Sequence, residues 1–118
     1  MKEIKAFVRP ENIDAIVHAL DSAGFHAMTA IAVSAIGELA DPSQSKLSTA
    51  FMKRYSGVYK LELVCHDDDV DTILHLVTSL GRTGWHGDGV VLVSDLERFV
   101  KIRTGEEGNK VIERLGRS

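Results

Sequence analysis

The fold class follows from residues 58–81, which read VYKLELVCHDDDVDTILHLVTSLG. Residues 58–65 place apolar side chains at alternate positions, and this alternation is typical of a β-strand. From Val70 onward the apolar side chains recur at intervals of three and four, which indicates one face of a helix that ends at Gly81. The acidic residues 67–69 between the two patterns suit the positive end of that helix. The stretch therefore predicts a strand that leads directly into a helix.

The first quarter of the chain repeats this unit. A strand is predicted over Ile4–Val8, and Pro10 and Glu11 then suit the first turn of a helix. The apolar stripe of that helix has the same spacing as the stripe after Val70, and Gly24 follows it at the position of a left-handed C-cap. The members of the stripe are Ile13, Ile16, Val17, Leu20 and Ala23. The two halves of the chain thus look like copies of one strand–helix unit.

The remaining segments complete two β-α-β units. Strands are predicted over residues 26–36, 90–93 and 99–102, with a helical turn near residues 95–98. Two such units in one small domain indicate a ferredoxin-like α+β sandwich, βαββαβ, with both helices on one face of an antiparallel sheet. The strands carry more apolar surface than two short helices can hide, so we expect other copies of the chain to cover the second sheet face. The side chains concerned are Val33, Tyr59, Leu61 and Leu63.

Composition narrows the class of protein without selecting a function. The 118 residues and 12.9 kDa are enough for one domain, and a formal charge of −3 argues against a general nucleic-acid binder. Because Cys65 is the single cysteine, a disulfide framework and a cysteine-based zinc site are excluded. The sequence has no apolar run of membrane-spanning length and no signal-peptide pattern, so we expect a cytoplasmic protein.

Residues 38–57 interrupt the regular pattern. They read ELADPSQSKLSTAFMKRYSG and follow no sustained period. Loops of this length are uncommon inside compact domains and are usually functional. We expect a long functional excursion; the alternative is an extended hairpin with no role of its own.

A glycine-rich turn lies between the second predicted helix and the strand at residue 90. It reads RTGWHGDG over residues 82–89, and its glycines allow backbone amides to converge on a phosphate. Arg82 adds charge, Thr83 adds a hydroxyl donor, and His86 could contact a phosphate or bicarbonate. The alternatives are a plain glycine-rich connection and an exposed loop histidine.

A second candidate for anion binding lies near the C-terminal end. Lys101 and Arg103 alternate along the predicted last strand, so both cations would project from one face. The alternative is a solvated strand face.

Taken together, these segments resemble the PII signal-transduction family. The resemblance covers residues 1–112 as one domain and leaves residues 113–118 as a polar tail. It rests most strongly on two blocks, Arg82-Thr83-Gly84 with Gly87-Asp88-Gly89, and Arg103-Thr104-Gly105-Glu106. Arg9-Pro10, Met28-Thr29 and Val64 add to it.

The resemblance implies a non-catalytic regulator. PII proteins are homotrimers of ferredoxin-like subunits that pack their sheets inward and bind an adenine nucleotide between subunits, as an effector and not as a permanent cofactor. The excursion, about residues 37–57, would be the T-loop that docks on a target protein. The target would be a membrane transporter, an enzyme or a regulator, and no nucleic acid is expected as a partner.

The same resemblance assigns the nucleotide-binding residues. Thr29 and Val64 would line the adenine pocket, and Gly37 would mark the base of the T-loop. Gly87 and Gly89 would give amides to phosphate, while Lys101 and Arg103 would supply cations from the neighbouring subunit. The remaining candidates all lie in the glycine turn: Arg82, Thr83, Gly84, His86 and Asp88.

Departures from the family fall at ligand-contacting positions. The family has arginine, lysine and arginine where this chain has Glu38, Val90 and Lys101. Because the lost cations would lie near the phosphates, the terminal phosphate of ATP should lose most, and ADP or AMP is expected to compete well with ATP. Leu39 and Val58 replace a glutamine and a lysine of the 2-oxoglutarate site, and neither can pair with a dicarboxylate. We therefore expect 2-oxoglutarate binding to be lost.

The family's modified tyrosine corresponds to Phe51, which has no hydroxyl group. Uridylylation at this position is therefore excluded. Ser48, Thr49 and Tyr55 remain as hydroxyl-bearing residues of the excursion, but nothing in the sequence marks any of them.

Other classes of function remain as alternatives. They are a metal-tolerance or bicarbonate-responsive trimer of the same fold, and a small acylphosphatase-like hydrolase. The sequence shows no nucleophile–base constellation, because Cys65 and His66 are neighbours on a strand and point to opposite faces. Residues 66–69 could be read as a metal site, but they suit a helix start better. We therefore expect neither a catalytic residue nor a metal site.

Overall fold

The computed structural model describes residues 1–43, 45–48 and 53–108, and it contains a five-stranded antiparallel sheet with two helices. The elements are β1 (Lys2–Val8), α1 (Ile13–Ser22), β2 (Thr29–Ile36), β3 (Lys46–Ser48), β4 (Lys53–Cys65), α2 (Val70–Gly81) and β5 (Val90–Asp95). The strand order is β2-β4-β1-β5, and β3 also pairs with β4. This arrangement confirms the predicted α+β, ferredoxin-like class.

The core lies between the helices and one face of the sheet. The stripes of α1 and α2 behave as predicted, since Ile16, Leu20, Ile73 and Val77 are all buried against the central strands. The helices also meet each other, and a β-carbon at Gly81 would lie 3.9 Å from the Ile16 side chain. Gly24 has a φ of 99°, as expected for the residue that ends α1.

Within the described residues, no helix covers the second face of the sheet. The strand register places Ile31 and Val33 opposite Lys60 and Val58 on this face, and it places Leu92 opposite Lys5. Leu61 and Leu63, which the sequence suggested as surplus apolar surface, are instead buried beneath the helices. The exposed apolar side chains of the open face come from Ile31 and the edge strand β5.

The excursion is more regular than its sequence indicates. Ala40 and Asp41 follow a short 3-10 turn over Gly37–Leu39, and β3 and the first residues of β4 then form a hairpin. The prediction that β4 starts at Val58 is therefore wrong by five residues. Pairing with a distant strand extends β4, because β2 continues to Ile36 and pairs with β4 as far as Tyr55. Thr49 and Phe51 lie outside the described residues.

The end of the chain also differs from the prediction. No helical turn forms over residues 95–98 in the described structure, because β5 runs to Asp95 and the Leu96 amide donates to the Met1 carbonyl. The predicted strand over residues 99–102 is wrong as well. This segment instead turns back on itself through an isolated bridge between Val100 and Glu107. Residues 113–118, the predicted tail, lie outside the described part of the chain.

Candidate functional site

The glycine turn between α2 and β5 is organised by one of its own side chains. The Asp88 carboxylate accepts hydrogen bonds from the Thr83 amide at 2.8 Å and the Gly84 amide at 3.0 Å. The Thr83 hydroxyl also donates to it. The Thr83 side chain, the two amides and Arg9 outweigh the effect of burial and hold the pKa of the Asp88 carboxyl well below its usual value. Asp88 is therefore an anion at neutral pH that closes the first half of the turn.

The second half of the turn requires glycine. Gly87 and Gly89 have φ angles of 97° and 101°, in the left-handed region that favours glycine. A β-carbon at Gly89 would lie 1.7 Å from the Phe7 carbonyl oxygen, and one at Gly87 would lie 2.6 Å from the Asp41 Cα. The backbone at these positions thus packs directly on β1 and on the excursion.

Arg9, at the end of β1, joins the turn to the excursion. Its side chain is buried, with its Nε donating to Asp88 at 3.1 Å and its Nη2 donating to the His86 carbonyl at 2.8 Å. Its Nη1 forms an ion pair with Asp41. The Arg9 guanidinium therefore joins the end of β1 to the glycine turn and to the excursion, two segments that are distant in sequence. Sequence reasoning quoted Arg9 for the resemblance but assigned it no role.

Asp41 anchors the start of the excursion and was missed from the sequence. Its side chain is only 7% exposed, and the amide and hydroxyl of Ser43 donate to it at 3.0 and 2.8 Å. Burial alone would raise the pKa of the Asp41 carboxyl, but the bonds from Ser43 and the Arg9 charge lower it below its usual value. The Asp-Pro-Ser sequence of residues 41–43 is the available signal, since it favours an Asx turn.

Two of the cavities that adjoin this junction are lined in part by the excursion. One of about 410 Å³ lies between the excursion and the turn and is lined by Pro42, Ser43, Trp85 and His86, among others. The other, of about 210 Å³, opens on the uncovered sheet face. Gly89 lines this second cavity together with Phe7, Ile36, Leu39 and Val58. Leu39 and Val58, the replacements at the expected 2-oxoglutarate position, therefore give it apolar walls.

The predicted site residues fall into two groups within one chain. Gly37 lies where the excursion leaves β2, and the candidates of residues 82–89 lie at the glycine turn beside the end of β1. His86 is exposed in this turn, and Arg82 is exposed at the end of α2. These residues form the first group.

The second group lies toward the other end of the sheet. Val64 pairs with Glu3, four residues before Phe7, which corresponds to about 13 Å along the strand. Thr29 starts β2 on the same sheet face. Lys101 and Arg103 follow β5, which carries the chain about 17 Å away from the glycine turn. A single chain therefore does not bring the two groups together.

Cys65 is buried in the core, as predicted. Burial raises the pKa of its thiol to about 11, so that it carries no negative charge at neutral pH. In residues 66–69, Asp67 accepts a hydrogen bond from the N-terminal ammonium group at 2.9 Å. Across the described ranges, no group of three histidine, cysteine or acidic side chains is arranged to hold a metal ion.

The depressed pKa of Asp88 predicts a pH dependence of stability. A carboxyl whose folded pKa is lowered stabilises the fold fully above its unfolded pKa of about 3.9, and this stabilisation is lost as the pH falls below that value. We expect Asp88→Asn to lower the free energy of unfolding at pH 7 by about 2 kcal/mol. Between about pH 5 and pH 3, the free energy of unfolding should fall less steeply in this variant than in the wild type. Urea unfolding at fixed protein concentration measures both effects.

Glu97→Gln is the control for that experiment, because Glu97 is exposed and lies outside the turn. It should leave the free energy of unfolding at pH 7 within about 0.5 kcal/mol of the wild type. A pH profile of Asp88→Asn that runs parallel to the wild-type profile would contradict the assignment of Asp88.

Comparison with known proteins identifies the family. The family model described as nitrogen regulatory protein P-II matches residues 1–106. The chain is 36% identical to nitrogen regulatory protein P-II 2 of Methanothermobacter thermautotrophicus over 95% of this chain and 97% of that protein. It is 33% identical to nitrogen regulatory protein P-II 1 of Escherichia coli over 95% of this chain and all of that protein.

Among the described helices, none is long and apolar enough to cross a bilayer. The open sheet face agrees with the trimer that is expected for the family. From the matched family model and these two relatives, we conclude that the chain belongs to the P-II family of signal-transduction regulators.

Proposed function

We propose that this protein senses adenine nucleotides and controls a partner protein through residues 37–57. The observation that carries the proposal is the form of the glycine turn. Asp88 accepts hydrogen bonds from the Thr83 and Gly84 amides, and the Thr83 hydroxyl oxygen accepts one from the Trp85 amide, so a phosphate would use amides of residues 86–89, including those of Gly87 and Gly89. Backbone amides that converge on one point bind anions without requiring a side-chain charge.

The separation of the two residue groups supports a site between subunits. One copy would contribute Gly37 and the glycine turn, and its neighbour would contribute Thr29, Val64, Lys101 and Arg103. The cavity beside Gly89 opens on the sheet face that a second copy would cover. The whole domain, residues 1–112, would thus act as a homotrimer with the nucleotide in its clefts.

The electrostatics of the turn favour a nucleotide with fewer phosphates. Arg9 is already shared among three carboxylates, those of Asp41, Asp88 and, at 3.8 Å, Glu11. Val90, at the start of β5, brings no cation to the second half of the turn. Each absent charge-assisted contact costs about 1.5–3 kcal/mol where it would otherwise form. The terminal phosphate of ATP loses most, because it carries the most charge.

Calorimetric titration with AMP, ADP and ATP tests this proposal, with and without Mg²⁺. We expect ADP to bind at least as tightly as ATP, and Val90→Lys to strengthen ATP binding by about tenfold. Val90→Met is the control, since it lengthens the side chain without adding a charge. ATP binding that is tighter than ADP binding in the wild type would contradict the stated preference, and no binding of any nucleotide would overturn the proposed function.

The same titrations test the loss of 2-oxoglutarate sensing. Ser34 carries the only polar side chain that lines the cavity beside Leu39 and Val58 among the described residues, and no lining side chain carries a cation that could pair with a dicarboxylate. We therefore expect 2-oxoglutarate to leave ATP affinity unchanged. Bicarbonate is titrated in parallel, because the sequence leaves a second small ligand open.

A further inference from the structure

The junction between the glycine turn and the excursion is built around one buried ion pair. The side chains of Arg9 and Asp41 are each 7% exposed, and they come from positions 32 residues apart. Arg9 uses Nε and Nη2 to hold the turn, through Asp88 and the His86 carbonyl. It uses Nη1 to hold Asp41. The planar fork of arginine makes this division of donors feasible, and a lysine ammonium could not reproduce it.

Asp41 is fixed from its own side as well. Ser43 donates to its carboxylate through both amide and hydroxyl, and the Asp41 amide donates to the Ser56 hydroxyl oxygen at 2.8 Å. The Asp41 backbone also touches the turn, since a β-carbon on Gly87 would lie 2.6 Å from its Cα. The excursion therefore rests directly on the residue whose amide is offered to phosphate.

We propose that the Arg9–Asp41 pair couples the glycine turn to the excursion, so that fixing one element fixes the other. This inference rests on the proposed function for its ligand, but the coupling itself is a property of the ligand-free protein. A buried ion pair is either made or broken, because separated charges in a water-poor junction are costly. Such an element has two discrete states, which is what coupling between two sites requires.

Coupling of this kind is reciprocal. If the pair holds the turn in place, then ADP bound at Gly87 and Gly89 stabilises the position of Asp41, and loss of Asp41 loosens the turn. Asp41 and Arg9 act here as positioning residues. They transmit occupancy of the turn to the start of the segment that would meet the partner.

Hydrogen exchange read by mass spectrometry tests the proposal with Asp41→Asn, which keeps the size of the side chain and removes its charge. Without ligand, we expect exchange in residues 82–89 to become about fivefold faster or more, although the substitution lies more than 40 positions away in sequence. Saturating ADP should slow exchange in residues 37–43 of the wild type, and this slowing should be about fivefold smaller in Asp41→Asn. Asp68→Asn is the control, because it makes the same chemical change at an exposed position.

Each outcome decides one question. Unchanged exchange of residues 82–89 in Asp41→Asn would overturn the coupling, even if ADP binds. Absence of ADP binding by the wild type would overturn the proposed function, while the ligand-free comparison would still decide the coupling. If Asp41→Asn does not fold, Arg9→Lys serves in its place, since it keeps the charge and loses the fork; exchange in residues 82–89 at the wild-type rate would then overturn the proposal.

Discussion

Replacing Gly89 by alanine is expected to destabilise the protein by at least about 4 kcal/mol. The new β-carbon would lie 1.7 Å from the Phe7 carbonyl oxygen and 2.8 Å from the Phe7 carbonyl carbon. These are backbone atoms of a central strand, so no side-chain rotation can relieve the overlap. The left-handed φ of 101° adds a further cost for any residue with a β-carbon. Urea unfolding, or the yield of folded protein when unfolding is already complete, measures the effect.

Gly84→Ala is the matched control, because Gly84 lies in the same turn with a φ of 89° and open space around it. It should lower the free energy of unfolding by only about 1–2 kcal/mol, the penalty for placing a β-carbon at a left-handed φ. Equal stability losses in the two variants would show that backbone conformation alone sets the cost, and would contradict the close contact between Gly89 and β1.

Replacing Arg9 by methionine is expected to cost about 3–5 kcal/mol of stability. Methionine fills a similar volume but leaves the buried Asp41 carboxylate without its cation and removes a donor from Asp88. Removing one partner of a buried ion pair is costly because the remaining charge is uncompensated. Thermal and urea unfolding should both show the loss, at the same protein concentration for each variant.

Arg98→Met provides the comparison for this prediction. Arg98 pairs with Glu107 at 2.9 Å, but the side chains are 75% and 45% exposed, so the pair should contribute less than about 1 kcal/mol. If Arg9→Met destabilises the protein no more than Arg98→Met does, the Arg9 junction is solvated in solution and the coupling argument fails.

Much of the fold could be predicted from the sequence, because local periodicity determines it. The two helix stripes and the alternation of residues 58–65 each report which side faces the core. The hairpin of β3 and β4 could not be predicted in the same way. Its residues show no apolar alternation, and they form strands by pairing with each other and, at Tyr55, with the end of β2.

The glycine turn of the candidate site could be predicted from the sequence, but the junction between the turn and the excursion could not. Three glycines close together mark residues 84–89 as a place where amides converge. No sequence pattern reveals that Asp88 accepts hydrogen bonds from Thr83 and Gly84, although these residues are only five and four positions away. Arg9 and Asp41 lie 32 positions apart, so their contact depends on the tertiary fold.

In the proposed sensor, the ligand site and the partner-binding segment share a boundary. Gly87 belongs to the turn and touches Asp41, which belongs to the excursion. A ligand shifts such a system only by binding its two states with different affinity. In the coupling proposed above, the Arg9–Asp41 pair would be formed in one state and broken in the other.

A crystal structure of the protein grown with saturating ADP tests the central claim most directly. We expect a trimer with ADP between two copies and with the ADP phosphates within hydrogen-bond distance of the Gly87 and Gly89 amides of one copy. Thr29, Val64, Lys101 and Arg103 of the neighbouring copy should complete the cleft. ADP bound elsewhere, for example in the cavity beside Trp85, would contradict the account, as would a trimer whose glycine turn remains without nucleotide.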